Sequence, residues 1–170
     1  MSPSQSRRER RVKGSKPKKP DKPLVLSDRY HRAMGMFNGA WATFDLTTDY
    51  AIYQFLGVTA HQGHLITSGM MFGRKARLLA DLIGRSDHPN KAKILGAFNK
   101  ARGGNKRDVF AHGCVWSDKD TVKFLERTSG GEYQAVEHEF TVDELEAHII
   151  RFIFANQAFW DALGAKKEDV

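Results

Sequence analysis

The stretch that decides the fold is "SDRYHRAMGMFNGAWATF", residues 27 to 44. Large apolar residues recur in it every three or four positions: Tyr30, Met34, Phe37, Trp41 and Phe44. This spacing places them on one face of a helix, where they can pack against a core. Ser27 and Asp28 are residue types that cap helix N-termini. We therefore expect an amphipathic helix that begins near Ser27.

Three more helices are expected in the first two thirds of the chain. Apolar spacing predicts a second helix over residues 46 to 57 and a third over residues 59 to 84, with Gly57 ending the former and Thr59 capping the latter. A fourth covers residues 91 to 102 and ends at "ARGGN", because paired glycines favour a bend. Glycines inside the third helix predict a kink or a close approach, and they are Gly63, Gly69 and Gly73.

The period of the pattern changes late in the chain. Residues 121 to 125 and 133 to 140 read as strands that flank a glycine turn at residues 129 to 131, which predicts a short β-hairpin. Thr141 and Glu144 form a capping box, and apolar spacing continues from there to Leu163 as a last helix. The expected fold class is all-α, mainly helical: a bundle of four to five helices with a short β-hairpin insertion before the last helix.

Positive charge is concentrated at the N-terminus. Residues 1 to 23 contain nine basic and two acidic residues, so this segment accounts for the whole formal charge of +7. It also contains four of the five prolines and little to bury, so we expect a disordered basic tail over residues 1–23 and one helical domain over residues 24–170. A cationic tail binds polyanions such as RNA through counterion release, although a solubilising extension has the same composition.

Several classes of protein are disfavoured by the sequence. The tail lacks the apolar segment of a secretory signal and no run of 18 apolar residues occurs, so we expect a cytoplasmic protein with no membrane partner. The single cysteine, Cys114, excludes an intrachain disulfide. His61 and His64 are three positions apart, but they lack a recognisable carboxylate partner. We therefore expect neither a metal site nor a cofactor.

The candidate site is "RDVFAHG", residues 107 to 113. On a helix, Asp108 and His112 stand four positions apart, close enough for the carboxylate to hydrogen-bond the imidazole. Histidine exchanges protons near neutral pH, and a guanidinium such as that of Arg107 binds phosphate oxygens in pairs, so the three suit phosphate chemistry. The alternative is structural: Arg107 and Asp108 form a surface ion pair, and His112 packs at a helix end beside Gly113.

In this motif the chain resembles the HEPN superfamily, whose signature is an arginine and a histidine with four to six residues between them. Arg107 and His112 fit that spacing, helices precede them, and "HG", Trp116 and a final amphipathic helix follow. The likeness covers roughly residues 27 to 164 in pattern. It implies a helical bundle that forms a homodimer, with two copies of the motif facing a shared cleft. Many members are metal-independent endoribonucleases of toxin–antitoxin and phage-defence systems, so RNA and an antitoxin or regulatory protein are the implied partners.

The resemblance also implies roles for the three residues. His112 would be the general acid or base for attack of a ribose 2′-hydroxyl on the neighbouring phosphate, leaving a 2′,3′-cyclic phosphate. Arg107 would stabilise the charge that builds on phosphorus, and Asp108 would hold the imidazole. This chain has Asp108 where an asparagine is usual, and a hairpin where the simple bundle has none. A non-catalytic nucleotide- or RNA-binding dimer with the same cleft is therefore the alternative function.

Overall fold

The computed structural model describes residues 10–12, 26–118, 121–128 and 134–164. The described helices are α1 (Asp28–Leu56), α2 (Ala60–Thr67), α3 (Phe72–Arg85), α4 (Lys91–Gly104), α5 (Arg107–His112) and α6 (Val142–Leu163). The described strands are β1 (Arg10–Val12), β2 (Cys114–Asp118), β3 (Thr121–Thr128) and β4 (Gln134–Thr141). The expectation of a mainly helical protein is confirmed. None of the described helices combines the length and apolarity needed to cross a bilayer.

The chain divides into two compact units. The first, which we call the sheet unit, contains residues up to 35 together with residues 106–148. The second, the helical unit, contains residues 36–105 and 149–170. Helices α1 and α6 each contribute residues to both units.

Helix α1 is a single helix of 29 residues, where the sequence predicted two. The predicted boundary near Phe44 and Leu46 holds neither glycine nor proline, so nothing there interrupts the backbone hydrogen bonds. The threonine hydroxyls of this region do not break the helix, because they donate to carbonyls one turn back. Thr47 donates to the Thr43 oxygen at 2.8 Å, and Thr48 donates to the Phe44 oxygen at 2.8 Å.

The predicted third helix is two helices, α2 and α3. Its expected start is confirmed, because the Thr59 hydroxyl accepts from the Gln62 amide while the Gln62 side chain accepts from the Thr59 amide. The break falls at residues 68–71, around Gly69, one of the glycines expected to weaken the helix. The fourth predicted helix is α4. The described residues form six helices where four to five were expected, because this break and the short α5 add two helices and the fusion in α1 removes one.

Phenylalanine rings form the core of the helical unit. Phe44 is fully buried, and its ring centroid lies 5.9 Å from that of Phe98, 5.7 Å from Phe152 and 6.1 Å from Phe159. These rings come from α1, α4 and α6, so one aromatic cluster joins three helices. Burial of such side chains is the main favourable term in the stability of this unit.

One charged group is buried in the helical unit. The Lys75 side chain is 8% exposed, and its Nζ donates to Asp49 Oδ2 at 2.8 Å and to Asp45 Oδ1 at 3.1 Å. The two aspartates are four positions apart on α1, so both carboxylates face the same lysine of α3. Burial alone would lower the pKa of Lys75. The hydrogen bonds that Lys75 donates to Asp49 and Asp45 outweigh this effect and raise its pKa above 10.5.

The sheet is antiparallel with strand order β1-β4-β3-β2. The predicted hairpin is β3 with β4, in which Phe124 is opposite His138, while its turn at residues 129–133 lies outside the described residues. The sheet is larger than predicted because β2 pairs with β3 and β1 pairs with β4. Strand β1 belongs to the predicted basic tail, with Arg10 opposite Glu137. Of residues 1–23, the structure describes only the three residues of β1.

The start of α6 is as predicted. The Thr141 hydroxyl accepts from the Glu144 amide at 3.1 Å, and the Glu144 carboxylate accepts from the Thr141 amide at 2.8 Å. This reciprocal pair satisfies two donors of the first helical turn and fixes the point at which β4 becomes α6.

We predict that Lys75→Met lowers the free energy of unfolding by about 3 kcal/mol at pH 7, because two partly buried carboxylates lose their counterion. Since folding raises the pKa of Lys75, its contribution is complete below pH 10.5 and decreases as the pH rises through the folded-state pKa. Urea unfolding at pH 7 and pH 11 measures both effects. Lys100→Met, at an exposed site on α4, is the control and should change stability little. A loss that is the same for both variants, or that grows above pH 10.5, would contradict this account.

Candidate functional site

The three predicted site residues lie on α5, the shortest described helix at six residues. Two residues connect it to α4. Asn105 is buried, and its side-chain amide donates to the Arg102 carbonyl. Lys106 has φ of 46°, and it is the only described residue other than glycine with a positive φ. The chain therefore turns sharply and at some conformational cost directly before the motif.

The apolar side of α5 anchors the motif in the sheet unit. Val109 is 4% exposed and Phe110 is 5% exposed. The Phe110 ring centroid lies 5.1 Å from that of Phe124 on β3, 5.7 Å from Phe140 on β4 and 5.5 Å from His148 on α6. Sequence spacing did not predict this cluster, because the pairing partners come from strands and a helix far along the chain.

The polar side of α5 carries the charged residues of the motif. The Asp108 side chain is 80% exposed and that of Arg107 is 37% exposed, and Arg107 Nη1 lies 3.8 Å from Asp108 Oδ1. The structure thus brings Arg107 and Asp108 together as an ion pair. A carboxylate in the first turn is also favoured by the helix dipole.

The position of His112 follows from the backbone, while its side chain is outside the described part of the structure. It is the last residue of α5. A helix turns about 100° per residue, so the positions of Asp108 and His112 are about 40° apart around α5, and those of Arg107 and His112 about 140° apart. The backbone thus places Asp108 and His112 one helical turn apart on α5, and the hydrogen bond between their side chains stays a prediction.

Gly113 ends the motif helix for a steric reason. Its amide donates to the Val109 carbonyl at 3.0 Å, and a Cβ at Gly113 would collide with that same carbonyl oxygen. The absence of a side chain lets the backbone leave the helix and enter β2 one residue later. The glycine after His112 thus has a structural role, which the sequence motif alone did not reveal.

This arrangement presents charged groups on a fixed helix. Val109 and Phe110 hold one side of α5, so Asp108 on the other side stays open to solvent and the Arg107 guanidinium is only partly covered. A guanidinium that reaches the surface is of the type that binds phosphate oxygens by paired hydrogen bonds. Asp108 lowers the local positive charge, so a phosphate at Arg107 competes with that carboxylate.

A metal ion in a protein is held by several histidine, cysteine or acidic side chains that lie close together. No three histidines, cysteines or acidic residues of the described part are gathered for that purpose. His61 and His64 lie on α2, and both are exposed.

Comparisons with known proteins returned no relative. No family model matches the chain, and neither a curated protein nor a solved structure matches it.

Substitutions on the two sides of α5 are expected to lower stability by different amounts. We expect Phe110→Ala to lower the free energy of unfolding by about 3–5 kcal/mol, because it opens a cavity among packed rings. Asp108→Ala removes only an exposed ion pair and should cost less than about 1 kcal/mol. Denaturant unfolding of both variants measures the difference. Equal losses would show that the exposed side of α5 carries structure as well.

The turn before the motif generates a second prediction. A left-handed conformation destabilises the folded state by about 1–2 kcal/mol at a residue with a Cβ, and glycine avoids this cost. Glycine also has a more flexible unfolded state, which lowers the free energy of unfolding by about 0.5–1 kcal/mol and offsets part of the gain. We therefore expect Lys106→Gly to raise the unfolding free energy by up to about 1 kcal/mol. Lys106→Ala keeps the Cβ and is the control, which should bring no gain. If Lys106→Gly is less stable than Lys106→Ala, the strain assigned to this turn is absent.

Proposed function

We propose that this protein is a homodimeric, metal-independent endoribonuclease of the HEPN type, in which Arg107, Asp108 and His112 form the active site. The observation that carries the proposal is the presentation of the arginine–histidine motif on its own short helix. Val109 and Phe110 anchor α5 on one side, while Asp108 on the other side is 80% exposed.

Each of the three residues has its own role in the proposed RNA cleavage. His112 exchanges the proton of the ribose 2′-hydroxyl or of the leaving 5′-oxygen, and Arg107 stabilises the additional negative charge on the phosphorane oxygens. Asp108 acts through its neighbours, by orienting the imidazole one helical turn away. The reaction forms a bond between the 2′-oxygen and phosphorus, breaks the bond from phosphorus to the 5′-oxygen, and leaves a 2′,3′-cyclic phosphate.

The helix geometry supports the involvement of a second copy in the proposed site. The positions of Arg107 and His112 are separated by about 7.5 Å along the axis of α5 and by about 140° around it. Two groups so arranged on one helix face different directions, whereas a two-fold axis brings the arginine of one copy toward the histidine of the other. A homodimer therefore completes the site. The basic residues of the N-terminal segment would add sequence-independent affinity for the RNA backbone.

A cleavage assay on a single-stranded RNA tests this proposal. We expect His112→Ala to lower the rate at least about 100-fold, since general acid–base groups supply that much. Arg107→Ala should have an effect of about 100-fold or more, since it removes stabilisation of the transition state. His61→Ala and Arg102→Ala, at exposed sites outside α5, are the matched controls and should leave the rate unchanged. Mass spectrometry of the product should find the cyclic phosphate, with and without EDTA.

The same assay separates the alternative function. RNA that stays intact with the wild-type protein, but whose binding is lost on Arg107→Ala, would make the site a binding cleft and refute the nuclease. Equal cleavage by wild type and His112→Ala would assign the activity elsewhere. Circular dichroism of each variant confirms that the fold is retained.

A further inference from the structure

A groove runs between α1 and α6 in the helical unit. Its volume is about 590 Å³, within the range of pockets that bind small molecules. The α1 wall includes Gly39, Ala40 and Thr43, small residues that leave the space open. The α6 wall includes Asn156 and Trp160. None of the ten described residues that line the groove is charged.

Asn156 supplies an observation that points to a ligand. Asn156 is only 6% exposed, yet its Oδ1 has no hydrogen-bond partner among the described residues. The other end of the amide makes one long bond, in which Nδ2 donates to the Ala40 carbonyl at 3.4 Å. Leaving a buried acceptor unpaired costs about 1–3 kcal/mol, so a donor that satisfies Oδ1 gains that much on binding. Because Oδ1 is itself buried, the carboxamide has to turn toward the groove before such a donor can reach it, and the contact given up is the long hydrogen bond from Nδ2 to the Ala40 carbonyl.

We propose that this groove binds a small, uncharged, largely apolar molecule that carries one N–H or O–H group, which donates to Asn156 Oδ1. The chemical class follows from the walls. Uncharged walls do not compensate an ionised ligand for the loss of its water, whereas apolar atoms gain by contact with Trp160 and the α1 backbone. This site is independent of RNA cleavage, because its residues are outside the motif helix.

The lining glycine permits a clean test. A Cβ at Gly39 would meet nothing within 4 Å, so the backbone there accepts a side chain, and Gly39→Leu adds bulk to the groove wall while it replaces a poor helix former with a good one. Gly96 on α4 is equally exposed, and a Cβ there also meets nothing within 4 Å. Gly96→Leu is therefore the matched control.

The probe is N-phenyl-1-naphthylamine, an uncharged fluorescent compound with one N–H group, titrated into the full chain. We expect saturable binding to wild type and to Gly39→Ala, binding within twofold of wild type for Gly96→Leu, and at least about a tenfold loss for Gly39→Leu, because the added side chain occupies the volume. Asn156→Leu should weaken binding about three- to tenfold, the value of one net hydrogen bond. The N-methyl derivative of the probe lacks the donor, so Asn156→Leu should leave its affinity unchanged.

Three results would overturn the proposal. The first is equal binding of the probe to wild type and Gly39→Leu. The second is an equal loss of both probes on Asn156→Leu, which would mean that the hydrogen bond plays no part. The third is light scattering that finds a wild-type dimer, a Gly39→Leu monomer and no probe bound to either, since the groove would then be the contact between two copies. None of these results depends on whether the protein cleaves RNA.

Discussion

The structure of the candidate site depends on the burial of one aromatic ring. Phe110 contacts Phe124, Phe140 and His148, and through them it fixes α5 to two strands and to α6. A helix of six residues is far too short to be stable by its own hydrogen bonds, so tertiary contacts must hold it. The burial of Phe110 therefore determines which side of α5 is available for chemistry, and the charged side of the motif is the side that remains.

The elements with strong local signals were predictable from the sequence. The apolar spacing from Tyr30 to Phe44 located α1, and the side chains of Thr141 and Glu144 located the start of α6. Both signals are local: a helical face and a capping box are complete within one or two turns. The extent of α1 was underestimated, because the apolar spacing from residue 46 onward was assigned to a second helix although no glycine or proline separates it from the first.

What the sequence could not supply were the contacts between distant segments. Strand β2 begins one residue beyond Gly113, and nothing in its five residues marked it as a partner of β3. The left-handed Lys106 was equally hidden, since glycine or asparagine is the usual residue in that conformation. Within the site, the pairing of Arg107 with Asp108 was anticipated as the structural alternative. It leaves both groups accessible, so it is compatible with phosphate binding as well.

Polar groups buried in the helical unit have two different explanations. Lys75 is paired with two carboxylates, so its burial is compensated within the fold. Asn156 Oδ1 has no such partner among the described residues. Buried polar atoms are nearly always satisfied in folded proteins, and an exception next to an open groove is a reason to search for a ligand. Asp49 Oδ1, in the cluster around Lys75, is also buried without a hydrogen-bond partner, so the feature that distinguishes Asn156 as a candidate binding residue is its place in the wall of an open groove.

In the proposed reaction, Arg107 and His112 direct a ribose 2′-hydroxyl against its own phosphate. The most direct measurement compares the wild-type cleavage rate of an RNA with that of the same RNA carrying one 2′-deoxyribose at the cleaved position. We expect cleavage at that position to disappear while neighbouring positions are still cut. Undiminished cleavage at the deoxyribose would contradict it, because the attacking oxygen would then come from elsewhere.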